Sequence, residues 1–586
     1  MHLSIERILP SIQWLRTYNR ATFGGDLSAG IITAILLIPQ AMAYSALAGL
    51  PPEIGLYASI APPILYAFFG SSRTLAVGPV AVASLMVAYA LSTISAQGTP
   101  EYLAAALTLS LMVGVVFLGI GILRLGLLTE FLSHPVMAGF TSAAALLIAF
   151  SQLSPFAGFE QKLLFGDFLS ASFIPDIWAR INGATLALGV GSISLLYLAR
   201  KYLGPLISKI DFLAPVSVGL AKTGPLLVLV LMTSIVVFLG LDEAANVKII
   251  GLIPEGLPRI QFSGINIDLI RELAPSALLI TLISYVESVA IAKVLAVKRR
   301  QKLDVNQEAW GLGFANLGSG FTGGSPVCGG FSRSVVNFAA GANTQLAAII
   351  TASLIALTLA FFTPLFYYVP KTVLASIILV AILDLVDIKG FVKNLAYDKA
   401  DGVSEGVTFL AVLGLGIESG LIIGISMSLL LHFWRSSRPH IAIVGQVGET
   451  EHFRNVLRHK VKTYPHLLAI RIDESLFFAN ASYLENFLLN EIAARPEVTD
   501  VLLICSAINS IDGSALHTLE QLNDELAEAN VTVHFAEVKG PVMDRLQETS
   551  FFKENHEGRV FLSTYDAFKS LSAKGNPLLN DPEWNI

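Results

Sequence analysis

Two interruptions in otherwise apolar sequence and two ionisable residues carry the chemistry available to this chain. The first interruption is Val77-Gly78-Pro79-Val80; the second is Gly323-Gly324-Ser325-Pro326-Val327-Cys328-Gly329-Gly330, which leads into Phe331-Ser332-Arg333-Ser334-Val335-Val336-Asn337. Gly and Pro break a hydrophobic segment, and Pro79 suits the first position of a helix that starts there. A helix N-terminus presents unpaired N–H groups equivalent to about half a positive charge, so two such ends facing each other attract an anion. Arg333, one turn into the second short run, adds a full charge. Alone in hydrocarbon it would cost at least about 2.5 kcal/mol, which places it in a polar cavity. The alternative is an arginine that snorkels to an interface or pairs with a carboxylate to hold the fold.

Glu287 lies in the middle of the apolar run from Leu279 to Ala290. Carboxylates in apolar surroundings can carry a proton at physiological pH; the plainer role is a static ion pair with Arg333. Two helix ends and Arg333 sum to about +2, which falls to about +1 while Glu287 is ionised. Protonating Glu287 then matches the site to a divalent anion. Gln40, after Pro39, and Tyr44 one turn later put an amide and a phenol on one helix face, although such a pair also serves to bond neighbouring helices. His134, before Pro135, has no second metal-type ligand at a suitable spacing and reads as a cap or core histidine. Gly311-Leu312-Gly313 begins like a dinucleotide turn, but Asn316 stands where the third glycine belongs and no strand precedes it. With no nucleophile–base pair, phosphate loop or metal cluster in the pattern, neither an enzyme nor a cofactor nor a metal is expected. The only cysteines, Cys328 and Cys505, offer no disulfide framework.

The elements that must position these residues lie in a membrane. Only 14% of the 586 residues are charged, against roughly 25% in a soluble domain, and runs such as Leu27 to Pro52, Thr74 to Pro100 and Asn343 to Pro370 carry no charge at all. Apolar segments near 27–48, 54–69, 76–93, 102–123, 131–153, 184–199, 225–241, 275–297, 308–321, 331–341, 345–362, 369–386, 402–417 and 419–434 give about fourteen spans, some of them short. The two interruptions fall in the third and the tenth, equivalent places in two sets of seven. Odd-numbered repeats in tandem have opposite topology, so the interrupted helices can meet head to head at the midplane. With the N-terminus in the cytoplasm, the loops on that side hold eighteen Lys or Arg; those on the other hold six, Lys162, Arg180, Lys248, Arg259, Arg271 and Lys371. The positive-inside rule therefore puts both termini in the cytoplasm. Residues 1–25 lack the pattern of a signal peptide. The net charge of −6 and the absence of a polybasic tract exclude nucleic acid as a partner.

After Arg438-Pro439 charges become frequent and short strands alternate with amphipathic helices. Strands are predicted at Ile441 to Val447, Leu467 to Ile472, Val501 to Ser506 and Val531 to Val538, with helices near 482–494, 513–529 and 540–547. A sheet covered by helices follows. In Asn509-Ser510-Ile511-Asp512-Gly513-Ser514, Asp512 or Ser514 can cap the middle helix, an ordinary role for such a turn. The domains are thus 1–25, an N-terminal segment; 26–436, the transmembrane anion-transport domain; 440–575, the soluble domain; and 576–586, a tail.

The chain resembles the SulP sulfate permeases, also called solute carrier family 26. Pro39-Gln40-Ala41-Met42-Ala43-Tyr44, Pro51-Pro52 through Gly55-Leu56-Tyr57, Phe69-Gly70-Ser71-Ser72-Arg73, Val77-Gly78-Pro79 and Ser133-His134-Pro135-Val136 through Gly139-Phe140 look like the successive signatures of that family. So do Glu287-Ser288, Asp304 through Asn306-Gln307-Glu308, and Gly330-Phe331-Ser332-Arg333-Ser334 leading to Asn337. The C-terminal region is similar to STAS domains, with Ile511-Asp512-Gly513-Ser514 at the loop that bears a phosphorylatable residue in signalling members. The resemblance implies a fourteen-span core-and-gate fold in the plasma membrane, a homodimer, and elevator-like movement. It also implies anion contacts at Gln40, Tyr44, Pro79, Val80, Phe331, Ser332 and Arg333, proton coupling at Glu287, and regulation at Ser514. Family members move sulfate, bicarbonate, chloride or dicarboxylates. The neighbourhood of Glu287-Ser288 is most similar to that of proton-coupled sulfate symporters, which places sulfate first. Sodium-driven bicarbonate symport comes second, with Glu287, Ser284 and Ser288 as oxygen ligands for the cation. A membrane-anchored STAS sensor is the reading from another class, but an anchor needs one or two spans, not fourteen.

Overall fold

The computed structural model describes residues 9–127, 129, 133–159, 181–209, 223–260, 266–549, 551, 558–573 and 578–580. Lys162 and Arg180 of the six basic residues counted on one side, and Arg7 and Lys222 among the eighteen on the other, lie outside the described residues. The chain divides into two compact units, Met1–Ser428 and Leu429–Ile586.

The first unit is helical. Its elements are α1 (Ser11–Arg16), α2 (Arg20–Leu47), α3 (Pro52–Tyr57), α4 (Ala61–Phe69), β1 (Val77–Gly78), α5 (Ala81–Ser92), α6 (Pro100–Ile122), α7 (His134–Ala157), α8 (Gly183–Leu198) and α9 (Gly224–Leu239). There follow α10 (Ile267–Lys298), α11 (Val305–Phe321), β2 (Cys328–Gly329), α12 (Phe331–Ala339), α13 (Leu346–Phe361), α14 (Lys371–Ile382), α15 (Ile388–Tyr397), α16 (Lys399–Leu415) and α17 (Ile417–Ser436). Each of the fourteen apolar segments carries helix among its described residues, the second being split where Pro62-Pro63 open α4 and the third beginning on β1. Among the described residues six helices are long and apolar enough to cross a membrane alone, and four shorter apolar ones accompany them. Local signals set the boundaries: Asn19 and Thr22 close a capping box at α2, and Asp304 caps α11 through the N–H groups of Asn306 and Gln307. Pro39 lies inside α2 and cannot donate to the carbonyl of Ile35.

Two bundles result. In one, α11 packs against α4 and α6, α10 against α6, and α13 against α2. In the other, α7 packs against α14 and α16, and α8 against α14 and α9. Small residues permit the close contacts that apolar surroundings require. Gly311 of α11 lies where a Cβ would come within 2.7 Å of the Gly70 backbone, so the Gly-Leu-Gly run is a helix-packing surface. Gly420 and Gly424 bring α17 onto Val412 and Thr408 of α16 in the same way.

Glu308, fully buried in α11, ties two distant segments together. Its carboxylate accepts from Tyr66 Oη at 2.5 Å, the N–H groups of Ser71 and Ser72 at 2.8 Å each, and Ser71 Oγ at 2.7 Å. Replacing Glu308 by Leu strands several buried donors, each at about 1–3 kcal/mol. The apparent Tm in detergent is expected to fall by several degrees, and an unchanged melt would remove Glu308 as a structural tie.

The second unit carries an eight-stranded sheet: β3 (Ile441–Gln446), β4 (Phe453–Asn455), β5 (Val461–Thr463), β6 (Leu467–Ile472), β7 (Asp500–Ile504), β8 (Thr532–Ala536), β9 (Val560–Phe561) and β10 (Leu578–Asn580). The order is β10-β5-β3-β6-β7-β8-β9, with β4 also on β3; β6 to β9 run parallel. Its helices are α18 (Ala481–Ala493), α19 (Gly513–Glu528), α20 (Gly540–Gln547) and α21 (Thr564–Ser572). Alternation along the strands sorts the two faces. Leu468, Ile470, Val501 and Leu503 meet α18 and α19, whereas Ala469, Leu502 and Ile504 meet Phe568 and Leu571 of α21. Burial raises the Asp473 carboxyl, but hydrogen bonds from Arg471 and His440 outweigh it and hold the group below the usual carboxylate range. The tie between the β3 and β6 ends is therefore intact at neutral pH and is lost as pH falls through that depressed value.

Candidate functional site

The two interruptions meet. β1 and β2 pair antiparallel, Val77 opposite Gly329 and Gly78 opposite Cys328, so the helices that follow them leave in opposite directions. Neither helix has a side-chain cap: α5 begins after extended Val80 and α12 after Gly330. Pro79 is therefore not the first helical residue the sequence suggested. It lies in the extended lead-in, where its carbonyl accepts from Arg333 Nη1 at 2.5 Å.

Arg333 is only 2% exposed. The protein satisfies Nη1 alone; Nε and Nη2 have no partner. For a charged group each unmet donor costs at least about 1–3 kcal/mol, so the surroundings are arranged for an acceptor. Glycines make room for the guanidinium: a Cβ at Gly330 would lie 2.8 Å from Nη2. Tyr44, Glu287 and Cys328 all lie within electrostatic reach of Arg333. No hydrogen bond joins Glu287 to Arg333, since the two unsatisfied nitrogens would have been used in it.

The other residues singled out from the sequence fall as follows. Gln40 and Tyr44 are buried in α2, which packs against both α5 and α12. Val80 is half-buried at the start of α5, while Phe331 and Ser332 are exposed on the first turn of α12. His134 opens α7 and is exposed. Ser514 is exposed in the first turn of α19, in the second unit; the cap there is Asp512, which accepts from the Ala515 N–H at 2.8 Å.

Several positioning residues escaped the sequence reading. Asn316, the residue that spoiled the glycine pattern, clamps Val327 from both sides: Oδ1 accepts its N–H and Nδ2 donates to its carbonyl, each at 2.9 Å. Ser288 Oγ accepts from the Gly329 N–H at 2.8 Å. Ser334 Oγ accepts from the Ala76 N–H at 2.9 Å, and Asn337 Nδ2 donates to the Thr74 carbonyl at 3.0 Å. The lead-in to the first short helix is thus held by side chains of the second. Cys328 is a free thiol on β2 beside this site; Cys505 is buried in the other unit, where burial, reinforced by the Glu537 carboxylate, pushes its thiol up to about 12.

Residues 23–404, the whole region that builds this site, match the family model described as the sulfate permease family. The chain belongs to the sulfate permeases. A second family model, the STAS domain, matches residues 458–567. Among relatives of this sulfate permease, "Sulfate transporter 4.1, chloroplastic" of Arabidopsis thaliana is 36% identical over 580 residues, covering 94% of this chain and 82% of the relative. "High affinity sulfate transporter 2" of Stylosanthes hamata is 31% identical over 592 residues, covering 98% and 87%. In fold the permease is similar to the murine Solute Carrier 26 family member A9 anion transporter in its inward-facing state, with a TM-score of 0.87, 22% identity, and coverage of 97% and 95%. It is also similar to the transmembrane domain of a cyanobacterial bicarbonate transporter, at a TM-score of 0.58 and 22% identity, over 70% of this chain and 98% of that one. The chain therefore has the helical transporter fold of solute carrier family 26, followed by an α/β STAS domain.

Proposed function

We propose that this protein is a secondary active transporter that carries sulfate together with a proton, holding the anion between the N-termini of α5 and α12 and against Arg333. The observation that supports this most is the buried guanidinium with two unmet nitrogens beside two uncapped helix ends. Gln40, Tyr44, Val80, Phe331 and Ser332 complete the anion's surroundings in this reading, with the Pro79 carbonyl fixing the arginine. Glu287 carries the coupling proton. The bundle containing α5 and α12 moves past the bundle of α7 and α14 as an elevator, in a homodimer embedded in the plasma membrane with both termini cytoplasmic. The named sulfate transporters among the relatives support the substrate. The domain limits proposed are 26–436 for transport and 440–575 for the STAS domain. A phosphate on Ser514 would meet the N-terminal N–H groups of α19, which suits a regulatory mark.

Sodium-coupled bicarbonate symport has less support. Ser288 Oγ, one of the oxygens that reading needs, already accepts from Gly329.

The test is uptake of radiolabelled sulfate into liposomes holding the purified protein, under a pH gradient, a sodium gradient, or neither. Uptake driven by the pH gradient is expected. Uptake driven only by sodium, or none under any gradient, would overturn proton–sulfate symport.

A further inference from the structure

Only Asp398 separates the helix α15 from the start of α16. α16 and α17 pack antiparallel, Gly420 against Val412 and Gly424 against Thr408, and α17 is long and apolar enough to cross a bilayer alone. The turn between them therefore lies toward one membrane surface and the start of α16, with α15 beside it, toward the other. With ten residues α15 is about 15 Å long, half of what the hydrocarbon of a bilayer requires, so it stays near that surface.

One side of α15 holds it to α16. Leu395 packs so closely on Gly402 that a Cβ there would lie 2.5 Å from its Cδ1, Phe391 lies over Gly406, and Asn394 Nδ2 donates to Oε2 of the buried Glu405 at 2.8 Å. Beside this packed side, Ile388 and Val392, one turn apart, are 70% and 59% exposed. Next around the helix come Lys389 and Lys393, also one turn apart and exposed, with Tyr397 a turn further on. The helix itself contains no acidic residue. Asp387 and Asp398, which flank it, serve as caps, accepting from the N–H groups of Gly390 and Ala400 at 2.8 and 2.9 Å.

We infer that α15 is a docking surface for anionic phospholipid, with Ile388 and Val392 entering the boundary of the acyl chains and Lys389 and Lys393 meeting the phosphate headgroups. An apolar side bordered by a basic one, on a short helix at a membrane surface, has the arrangement that such an interface selects. The lysine stems cover apolar surface while their ammonium groups reach outward to the headgroups, and the Tyr397 ring suits the same depth. In the transport reading above, on which the choice of leaflet rests, this surface is the cytoplasmic one, where anionic phospholipid is concentrated. Because Asn394, Leu395 and Phe391 tie α15 to α16, the lipid then anchors the bundle that α7 and α16 form.

The experiment places a fluorophore on Val392→Cys in the full chain, reconstituted in phosphatidylcholine bilayers; the unsubstituted protein, whose Cys328 and Cys505 are buried, is the blank. Ile388→Cys, one turn away, repeats the measurement should the first variant fail to fold. The quenchers are phosphatidylglycerol and phosphatidylcholine, each spin-labelled high on the acyl chain. Both are expected to quench, and phosphatidylglycerol at a lower mole fraction, by up to about fivefold for each lysine at low ionic strength, a preference that salt reduces. K389Q/K393Q is expected to abolish the preference and K389R/K393R to keep it. Equal quenching by the two lipids in the parent, or a preference that survives K389Q/K393Q, overturns the inference. So does a fluorophore that neither lipid reaches, whether iodide in the water quenches it or a second copy of the chain shields it. Both leaflets of these bilayers have the same composition and no sulfate is used, so a failure here leaves the transport reading standing, and absence of sulfate uptake leaves the lipid surface standing.

Discussion

Arg333→Ala is expected to abolish sulfate uptake while leaving the protein folded. The guanidinium supplies about half the positive charge at the site, the two helix ends providing the rest. Truncating one partner of a buried charge pair costs about 2–5 kcal/mol, which corresponds to roughly a thirtyfold to several-thousandfold loss of affinity. Arg333→Lys separates charge from shape. Lysine keeps the unit charge but cannot reach both the Pro79 carbonyl and the anion with a planar fork, so an intermediate loss is expected. Uptake by liposomes measures both, with an apparent Tm in detergent to show that the variants are folded. The melt also bears on the role of the residue. If Arg333 served only to hold β1 against α12, the alanine variant would melt lower and lose uptake together; as an anion ligand it loses uptake with little change in the melt. Indeed two of its nitrogens make no hydrogen bond within the protein itself, so removing them relieves the cost of burying unmet donors.

How far this site could be read from the sequence follows from the range over which each interaction acts. The interrupted segments and Arg333 were legible because glycine, proline and charge are unusual inside apolar runs, a property of single positions. The meeting of those segments was legible only by counting seven spans to each half; the pairing of Val77 with Gly329 spans 252 residues and leaves no local trace. Asn316 and Ser288 were invisible as clamps for the same reason, since a hydrogen bond to a distant backbone requires only one ordinary polar residue. Glu308 was noticed as part of a motif, but its four donors come from segments near 66 and 71–72. Short elements were missed elsewhere. α15, with ten residues and lysines at 389 and 393, is amphipathic and too brief for a span, and β4, β5, β9 and β10 are two or three residues long, less than one readable alternation. The long strands β6, β7 and β8 and the helices α18, α19 and α20 fall where period and capping put them, because packing on both faces of a sheet enforces that period.

The second large effect is expected at Glu287, and it is on coupling, not on binding. Two helix ends and Arg333 present about +2 to the anion, and an ionised Glu287 reduces this to about +1. A dianion and an ionised carboxylate therefore exclude each other, and a dianion and a proton favour each other by the same coupling free energy. Glutamine is isosteric with the protonated acid, so Glu287→Gln holds the site permanently in its sulfate-accepting charge state. Exchange of labelled for unlabelled sulfate is then expected to persist, because loading and unloading no longer wait for a proton. Accumulation is expected to vanish. With one coupled proton, a gradient of one pH unit supports about a tenfold concentration ratio, since about 1.4 kcal/mol corresponds to a factor of ten; in the glutamine variant that ratio falls to about one. Liposomes preloaded with sulfate measure exchange, and empty ones with an imposed pH gradient measure accumulation, in a single preparation. Retention of gradient-driven accumulation by Glu287→Gln would place the coupling proton elsewhere, and loss of exchange along with accumulation would make Glu287 a part of the anion site's structure. Only the split result, exchange kept and accumulation lost, follows from a carboxylate that sits within electrostatic reach of Arg333 without being hydrogen-bonded to it.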